Sequence, residues 1–292
     1  MNVVGFIVHR PPGAKVPLEP FYREIVAGLE DVLLPAGYRV LMQIVSDDVE
    51  ELTTYQRWAA TSFVDGVVVA NLQPEDKRPA LLRELGLPAV IIGELDDVAP
   101  FSVVRTDNTS AMRQAVRRLV ELGHRRIAHV TGPSQFLHTQ RRMRAFEAEV
   151  ATLDVSGRQV EADYTPAGGL AATRTLLADP QRPTAIVYDN DVMAIAANEA
   201  ADDLGIRVPE QVSLLAWDDS MLCRLADPAV SAMSHDVVEL GALAGEALLG
   251  SLRGKCTADT TAPEPTFLAR GTTAAPPVED FLAVSAGGAT WR

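Results

Sequence analysis

The chain has 292 residues, 47% of them hydrophobic, which is enough to bury a sizeable core and longer than the commonest single domain, so two lobes are the first expectation. A formal net charge of −13, from 39 acidic against 26 Lys and Arg residues, argues against this segment holding nucleic acid by phosphate neutralisation, so any such contact has to be made elsewhere. The only cysteines, Cys223 and Cys256, form no C-x-x-C pair, which excludes a disulfide framework and a zinc pattern, and they read as thiols of a reducing compartment.

The first apolar run, VVGFIV (3 to 8), is too short for the core of a signal peptide, and no stretch reaches transmembrane length; the expected location is cytoplasmic, with no membrane partner. Further runs rich in Val and Ile follow at 38 to 45, 64 to 70, 88 to 93, 125 to 132, 184 to 189 and 212 to 217. Continuous apolar strands of this kind are buried on both faces, as in a parallel sheet. Between them, helical spacing marks 20 to 34, 48 to 62, 108 to 122, 138 to 151, 168 to 178, 191 to 204 and 236 to 252, with Asp47 and Asn190 placed as N-caps. The alternation predicts an α/β fold of two doubly wound parallel-sheet lobes.

The pattern weakens from Asp96 to Asp107, read as the first crossing between lobes. The segment 254 to 265 reads as turns, TFLARGTT (266 to 273) as a returning strand, and 276–292 as a disordered tail. The expected division is 1–105 plus 236–265 for one lobe and 106–235 plus 266–275 for the other, joined by three crossings.

Open α/β sheets bind ligands beyond the carboxyl ends of their strands. Polar and aromatic residues collect there: Asp107 and Asn108 after FSVVR, Asp189, Asn190 and Asp191 after TAIVY, and Trp217, Asp218 and Asp219 after VSLLA. Catalytic signatures are absent: there is no G-x-G-x-x-G after a strand, no G-x-S-x-G, and the phosphate-loop mimic GSLRGKCT (250 to 257) is one residue short between its glycines and has Cys256 where Ser or Thr is needed. The histidines, at 9, 124, 129, 138 and 235, lack the i, i+4 pairing of a helical metal site, and His124 and His129 read as turn and core residues. No metal, no cofactor and no enzymatic activity are expected. The arginines at 117/118 and 125/126 read as solvated or salt-bridged surface.

Several segments in order, among them PFYREIVAGLEDVLLPAGYRVL (20 to 41), FVDGVVVA (63 to 70), VRTDN (104 to 108), LVELGHRRIAHVTGP (119 to 133), RPTAIVYDNDVMAIAA (182 to 197), LGIRVPEQVSLLAWDD (204 to 219) and FLARGTT (267 to 273), cover nearly the whole chain. In them the sequence resembles the lactose-repressor/galactose-repressor (LacI/GalR) family of bacterial transcription regulators. The resemblance implies a periplasmic-binding-protein-like core that closes on a small-molecule effector, a sugar or, as alternatives, a nucleobase or phosphorylated sugar. It also implies a homodimer, and contact with operator DNA through a helix-turn-helix headpiece that this sequence does not include.

Carried over by position, the resemblance makes Phe21 and Tyr22 the ring platform for the ligand, Arg142 its hydrogen-bonding arginine, Asn190 and Asp218 its amide and acidic contacts, and Tyr164 an aromatic wall. His138 stands where the family often has a small polar residue and is placed at the ligand; Asp107 and His235 fall at crossings, as hinge or cap residues. The departures are the proline-rich RPPGAKVPLE (10 to 19), Gly93 and Glu94 after the fourth strand, and His235-Asp236 at the second crossing. The rivals are a solute-binding protein of a sugar transporter and a carbohydrate-acting enzyme.

Overall fold

The computed structural model describes residues 2–10, 18–95, 98–255 and 258–277. In chain order the elements are β1 (Val3–His9), α1 (Pro20–Leu33), β2 (Arg39–Val45), α2 (Asp48–Thr61), β3 (Gly66–Val69), α3 (Arg78–Glu84), β4 (Ala89–Ile92) and β5 (Ser102–Arg105). Next come α4 (Asn108–Glu121), β6 (Arg126–Thr131), α5 (Leu137–Thr152), β7 (Ser156–Glu161), α6 (Pro166–Leu177), β8 (Ala185–Tyr188), α7 (Asp191–Asp203), β9 (Ser213–Trp217), α8 (Met221–Leu225) and β10 (Ser231–Ser234). The described chain closes with α9 (Val237–Leu252), β11 (Thr260–Thr261) and β12 (Thr266–Leu268).

Two compact units share these elements: Met1–Asp107 with Asp236–Pro263, and Asn108–His235 with Glu264–Arg292. Each is an α/β layer structure around one six-stranded sheet, in the orders β11-β5-β4-β3-β1-β2 and β12-β10-β9-β8-β6-β7. All pairings are parallel except β10 with β12. In the first sheet the strand order reverses between β1 and β3, and in the second between β6 and β8, so the crevices that receive ligands in such sheets lie at the carboxyl ends of those strand pairs.

The second sheet is buried on both faces. Ile186, Leu214 and Ala232 point into a core with α6 and α7, whereas Val187, Leu215 and Met233 point into another with α4 and α5. That two-sided burial is why the central strands are continuous apolar runs without alternation. Helix starts follow local chemistry. Asp47 accepts a hydrogen bond from Glu50 N, Asn190 from Met193 N and Asp236 from Glu239 N, while Thr165 caps α6 ahead of Pro166.

The structure differs from the sequence reading in its short and peripheral elements. β5 lies within the stretch read as a crossing, and β11 within the stretch read as turns. β7 is an edge strand of sequence SGRQVE, half-buried and polar, so it carries no apolar run. α3, α8 and β10, of seven, five and four residues, are too short to show a period. The returning strand is limited to Thr266–Leu268; beyond it Gly271 and Thr272 bind back through Gly271 N to Ala229 O and Leu214 N to Thr272 O. Met1 and residues 11–17, 96–97, 256–257 and 278–292 lie outside the described residues, and with them Cys256, most of the proline-rich loop and most of the 276–292 tail. No described helix is long and apolar enough to cross a membrane.

In the first unit α1 and α9 meet through glycines. A Cβ on Gly28 would overlap the Val238 carbonyl oxygen, and one on Gly241 the Ile25 carbonyl oxygen, so the two backbones are in contact. Gly28→Ala should therefore destabilise the unit by roughly 1–3 kcal/mol through overpacking, against the roughly 1 kcal/mol by which Ala favours a helix interior. Urea denaturation reads the sign, and a stabilised variant would mean that the helices can separate at little cost.

Candidate functional site

At the switch point of the second sheet, the carboxylate of Asp189 lies directly after β8 with no side-chain exposure. Its Oδ2 accepts a hydrogen bond from Gly132 N (3.0 Å), just beyond β6, and its Oδ1 lies 2.8 Å from His129 Nε2 on β6 itself. The Arg142 guanidinium of α5 stands 3.5 Å away. Burial alone would raise this carboxyl, yet its neighbours His129 and Arg142 and the Gly132 amide prevail and hold it down at about 2, so it is an anion at neutral pH.

Arg142 is fixed on three sides. Its Nε donates to Asn108 Oδ1 (2.8 Å), its Nη1 donates to the Asp189 carbonyl oxygen (3.1 Å), and its Cζ lies 4.1 Å from the Trp217 ring centroid. A guanidinium over an indole face is an attractive cation–π arrangement. Nη2 makes no hydrogen bond among the described residues and is not sealed from solvent. Below Trp217 the His235 ring packs at 5.2 Å, and its Nε2 is buried without a hydrogen-bond partner.

Tyr164 has a left-handed backbone (φ 63°), which is uncommon for so bulky a residue, and its ring lies over Gly132, where any Cβ would overlap it. The Tyr164 hydroxyl meets His138 Nε2 at 2.8 Å and Thr139 Oγ1 at 3.0 Å. The His138 ring stacks on Phe136 on one side (5.5 Å, 10°) and on Tyr164 on the other (6.3 Å, 25°), making a three-ring wall. Burial first, and then the charge of Arg142, depress both His138 and His235 to about 3, so both are neutral at physiological pH.

Asn190 is buried, with Oδ1 capping α7 and Nδ2 donating to the Tyr164 carbonyl oxygen (3.0 Å). Asp218, half-buried after Trp217, is also left-handed (φ 68°); the cap of α8 is Ser220, so Asp218 is not that helix's cap. The next residue, Asp219, forms a bidentate pair with Arg270 (2.6 and 2.8 Å). Asp107 is exposed and immediately precedes α4.

In the first unit, Phe21 and Tyr22 open α1 and meet edge to face at 5.5 Å. Phe21 is half-buried, whereas Tyr22 is part of the core and receives a hydrogen bond from Asn71 Nδ2 (2.6 Å). Asn71, left-handed (φ 52°) after β3, passes the contact on, because its carbonyl oxygen accepts from Arg78 Nη2, and Arg78 pairs with Glu51 and Asp76. His9, Asp48 and Glu51 are close enough to be considered as cation ligands. However, Nε2 of His9 faces Glu51 (2.6 Å) and Nδ1 faces Asp48 (3.6 Å), while Glu51 also takes Tyr55 and Arg78, so one ion cannot use both directions of the ring and the group reads as a hydrogen-bonded ion network.

The structure thus brings His138, Arg142, Tyr164 and Asn190 together around β6 and β8, with His235 joined to Arg142 through Trp217 and Asp218 beside that ring, and places Phe21 and Tyr22 in the other unit. Sequence reasoning placed Asp189 among the polar residues at the strand ends but gave it no partner, gave no role to Gly132 or to Asn71, and read His129 only as a turn or core residue. A histidine inside one apolar strand and an aspartate ending the next were the available signal, since buried ionisable groups occur in pairs.

A family model described as a periplasmic binding protein-like domain matches residues 116–273. The chain is 31% identical over 244 residues to the HTH-type transcriptional regulator CelR of Thermobifida fusca, covering 82% of this chain and 72% of that protein. It is 29% identical over 277 residues to the HTH-type transcriptional repressor PurR of Edwardsiella ictaluri, covering 90% and 79%. Among solved structures, a LacI family transcriptional regulator from Bifidobacterium animalis subsp. lactis superposes with a TM-score of 0.84 at 30% identity, over 94% of this chain and 98% of that one. A CelR–cellobiose complex superposes with a TM-score of 0.83 at 27% identity, over 93% and 84%.

One buried and two half-buried histidines set an acid limit. His124, on Thr184, Ser213 and the Ala274 carbonyl, is held by burial at about 4, and His138 and His235 at about 3. An unfolded imidazole titrates near 6.5, so between that pH and the folded values the unfolded chain binds more protons and stability falls as pH drops. For His124 alone the loss by pH 4 is roughly 3 kcal/mol. The urea midpoint should be highest above about pH 6.5 and fall towards pH 4; a flat midpoint over that range would contradict the neutral assignment. On these grounds of fold and sequence together, the chain belongs to the LacI family of transcriptional regulators and comprises the family's periplasmic-binding-protein-like effector-binding core.

Proposed function

We propose that this core senses a small polar effector, a sugar, held between the two units, and that its binding changes their relative orientation within a homodimer so as to control DNA binding. The carrying observation is the Arg142 guanidinium, fixed by Asn108, Asp189 and Trp217 with Nη2 left as a hydrogen-bond donor. Arg142, His138, Tyr164 and Asp218 are assigned to the ligand, Phe21 to its apolar face, and Asn190 and Tyr22 to holding these groups in place. Asp107 and His235, the last residues before the chain passes from one unit to the other, are assigned to the hinge. Sugars suit such a set because their hydroxyls take directed hydrogen bonds and their C–H faces pack on aromatic rings. Cellobiose in the CelR complex makes it the first probe. Relatives such as CelR and PurR, which are transcriptional regulators, favour this reading over a transporter's binding protein.

Titration calorimetry with neutral mono- and disaccharides, cellobiose first, should find saturable binding that weakens at least roughly tenfold in Arg142→Ala and in Asp218→Ala, the scale of one charged hydrogen bond. Asp218→Ala should keep its stability, whereas Arg142→Ala, which strips buried Asp189 of its countercharge, should also lose roughly 3–5 kcal/mol, so its affinity is read where circular dichroism shows the chain folded. Unchanged affinity in both removes the site assignment, and the absence of any saccharide binding removes the sugar.

Self-association has a candidate surface of its own. α8, immediately after Asp218 and Asp219, exposes Met221 (67%), Leu222 and Leu225 (74%), three large apolar residues in five. In a two-fold dimer such a patch is buried twice. Leu225→Asp should shift the sedimentation equilibrium from dimer to monomer without altering the circular dichroism; an unchanged dimer places the interface elsewhere.

A further inference from the structure

Arg142 brings a full positive charge to the proposed effector site, which by itself would suit a carboxylate or phosphate. Its surroundings oppose that. The Asp189 carboxylate, fully buried, lies 3.5 Å from Nη1. It is fixed there by His129 Nε2 and Gly132 N, so it cannot turn away. Asp218 adds a second, half-buried carboxylate next to Trp217, the ring that Arg142 covers. The Arg142 guanidinium therefore meets a ligand with a buried carboxylate at its back. We propose that Asp189 is a specificity-determining residue: by cancelling the charge of Arg142 from behind, it leaves Nη2 as a donor without a net positive field and selects an uncharged effector over an anionic one. This rests on the reading of Arg142 as an effector contact.

The physical argument is one of distance and dielectric. A ligand anion within hydrogen-bond reach of Nη2 would be attracted by Arg142 and repelled by a carboxylate one guanidinium further away, in a region where burial leaves little water to screen either. A hydroxyl carries no net charge and is indifferent to that balance, while still gaining the hydrogen bond. His138 and His235, the other basic groups around Arg142, are neutral at physiological pH and restore no positive charge. His129 acts here as a positioning residue. Its ring packs 5.2 Å from Phe146, which with the Asp189 contact fixes its orientation.

The test uses inorganic phosphate at low ionic strength, followed by titration calorimetry on the full chain. Asp189→Asn keeps the shape and an acceptor for Gly132 N, and His129 can meet the new amide with Nε2 as acceptor and its proton on Nδ1. Wild type is expected to bind phosphate weakly, with a dissociation constant above roughly 10 mM, and Asp189→Asn at least roughly tenfold more tightly, a gain that disappears in Asp189→Asn/Arg142→Gln. Wild-type binding as tight as the variant's, or a gain that survives loss of Arg142, overturns the proposal. The near-UV circular dichroism of buried Trp217 reports whether the variant folds. If it does not, the wild type decides against its Arg142→Gln variant: phosphate binding tighter than about 1 mM that depends on Arg142 refutes charge cancellation, and phosphate indifference to Arg142 supports it. Sugar binding is read separately. A chain that binds no neutral sugar but gains phosphate in Asp189→Asn keeps the charge cancellation and loses the sugar, and the opposite pair of results does the reverse.

Discussion

The second unit is organised around the buried carboxylate of Asp189. An isolated ion at that depth would cost several kcal/mol, and every neighbouring feature answers that cost. Gly132 offers its amide, His129 offers a ring nitrogen from within an otherwise apolar strand, and Arg142 supplies the countercharge. Because these partners come from β6, from the turn after it and from α5, satisfying one carboxylate fixes the geometry of the whole carboxyl end of the sheet. Gly132 has a second reason to be glycine, since the Tyr164 ring occupies the space a Cβ would need.

The first unit solves a related problem with different residues. At its own switch point the polar chain runs from Tyr22 through Asn71 and Arg78 to Glu51, where His9 and Tyr55 complete the hydrogen bonds. In both units a non-glycine residue beyond a strand is left-handed: Asn71 in one, Tyr164 and Asp218 in the other. Such backbone costs about 1–3 kcal/mol per residue and persists where surrounding contacts determine it. Three of the six described residues of this kind follow strands, while Ser62 and Asp154 follow helices and Glu75 lies in a turn; the three after strands stand beside the polar groups and away from the apolar layers that give each unit its stability.

How much of this was legible in the sequence follows from the same separation. Central strands buried on both faces are written as apolar runs, and the long helices as periodic ones, so the two-sheet architecture could be read from 3 to 8 and from 184 to 189 onward. Edge and short elements escaped because nothing periodic encodes them: SGRQVE at β7 has one hydrophobic residue in six. Within the site, the arginine and the aromatics could be named by position, but their partners could not. Tyr22 illustrates the difference. Adjacent to Phe21 and equally aromatic, it turns into the core because the helical step between them directs the two rings apart, which composition alone does not reveal. The His129–Asp189 pair is separated by 60 residues and exists only through the parallel register that sets β6 beside β8.

That register also explains why position 142 requires an arginine. Four separate features of the guanidinium are engaged or available: Nε on Asn108, Nη1 on Asp189, the planar face on Trp217, and Nη2. A lysine has a single nitrogen and no face, so it could neutralise Asp189 only by abandoning Asn108 and Trp217. The planar fork therefore does two things that are separable in principle. Its inner edge compensates a buried charge on which the packing of β6 and β8 depends, and its outer edge remains as a directed donor. Since one delocalised cation serves both, the stability of the sheet's carboxyl end and the chemistry presented there are coupled through a single side chain.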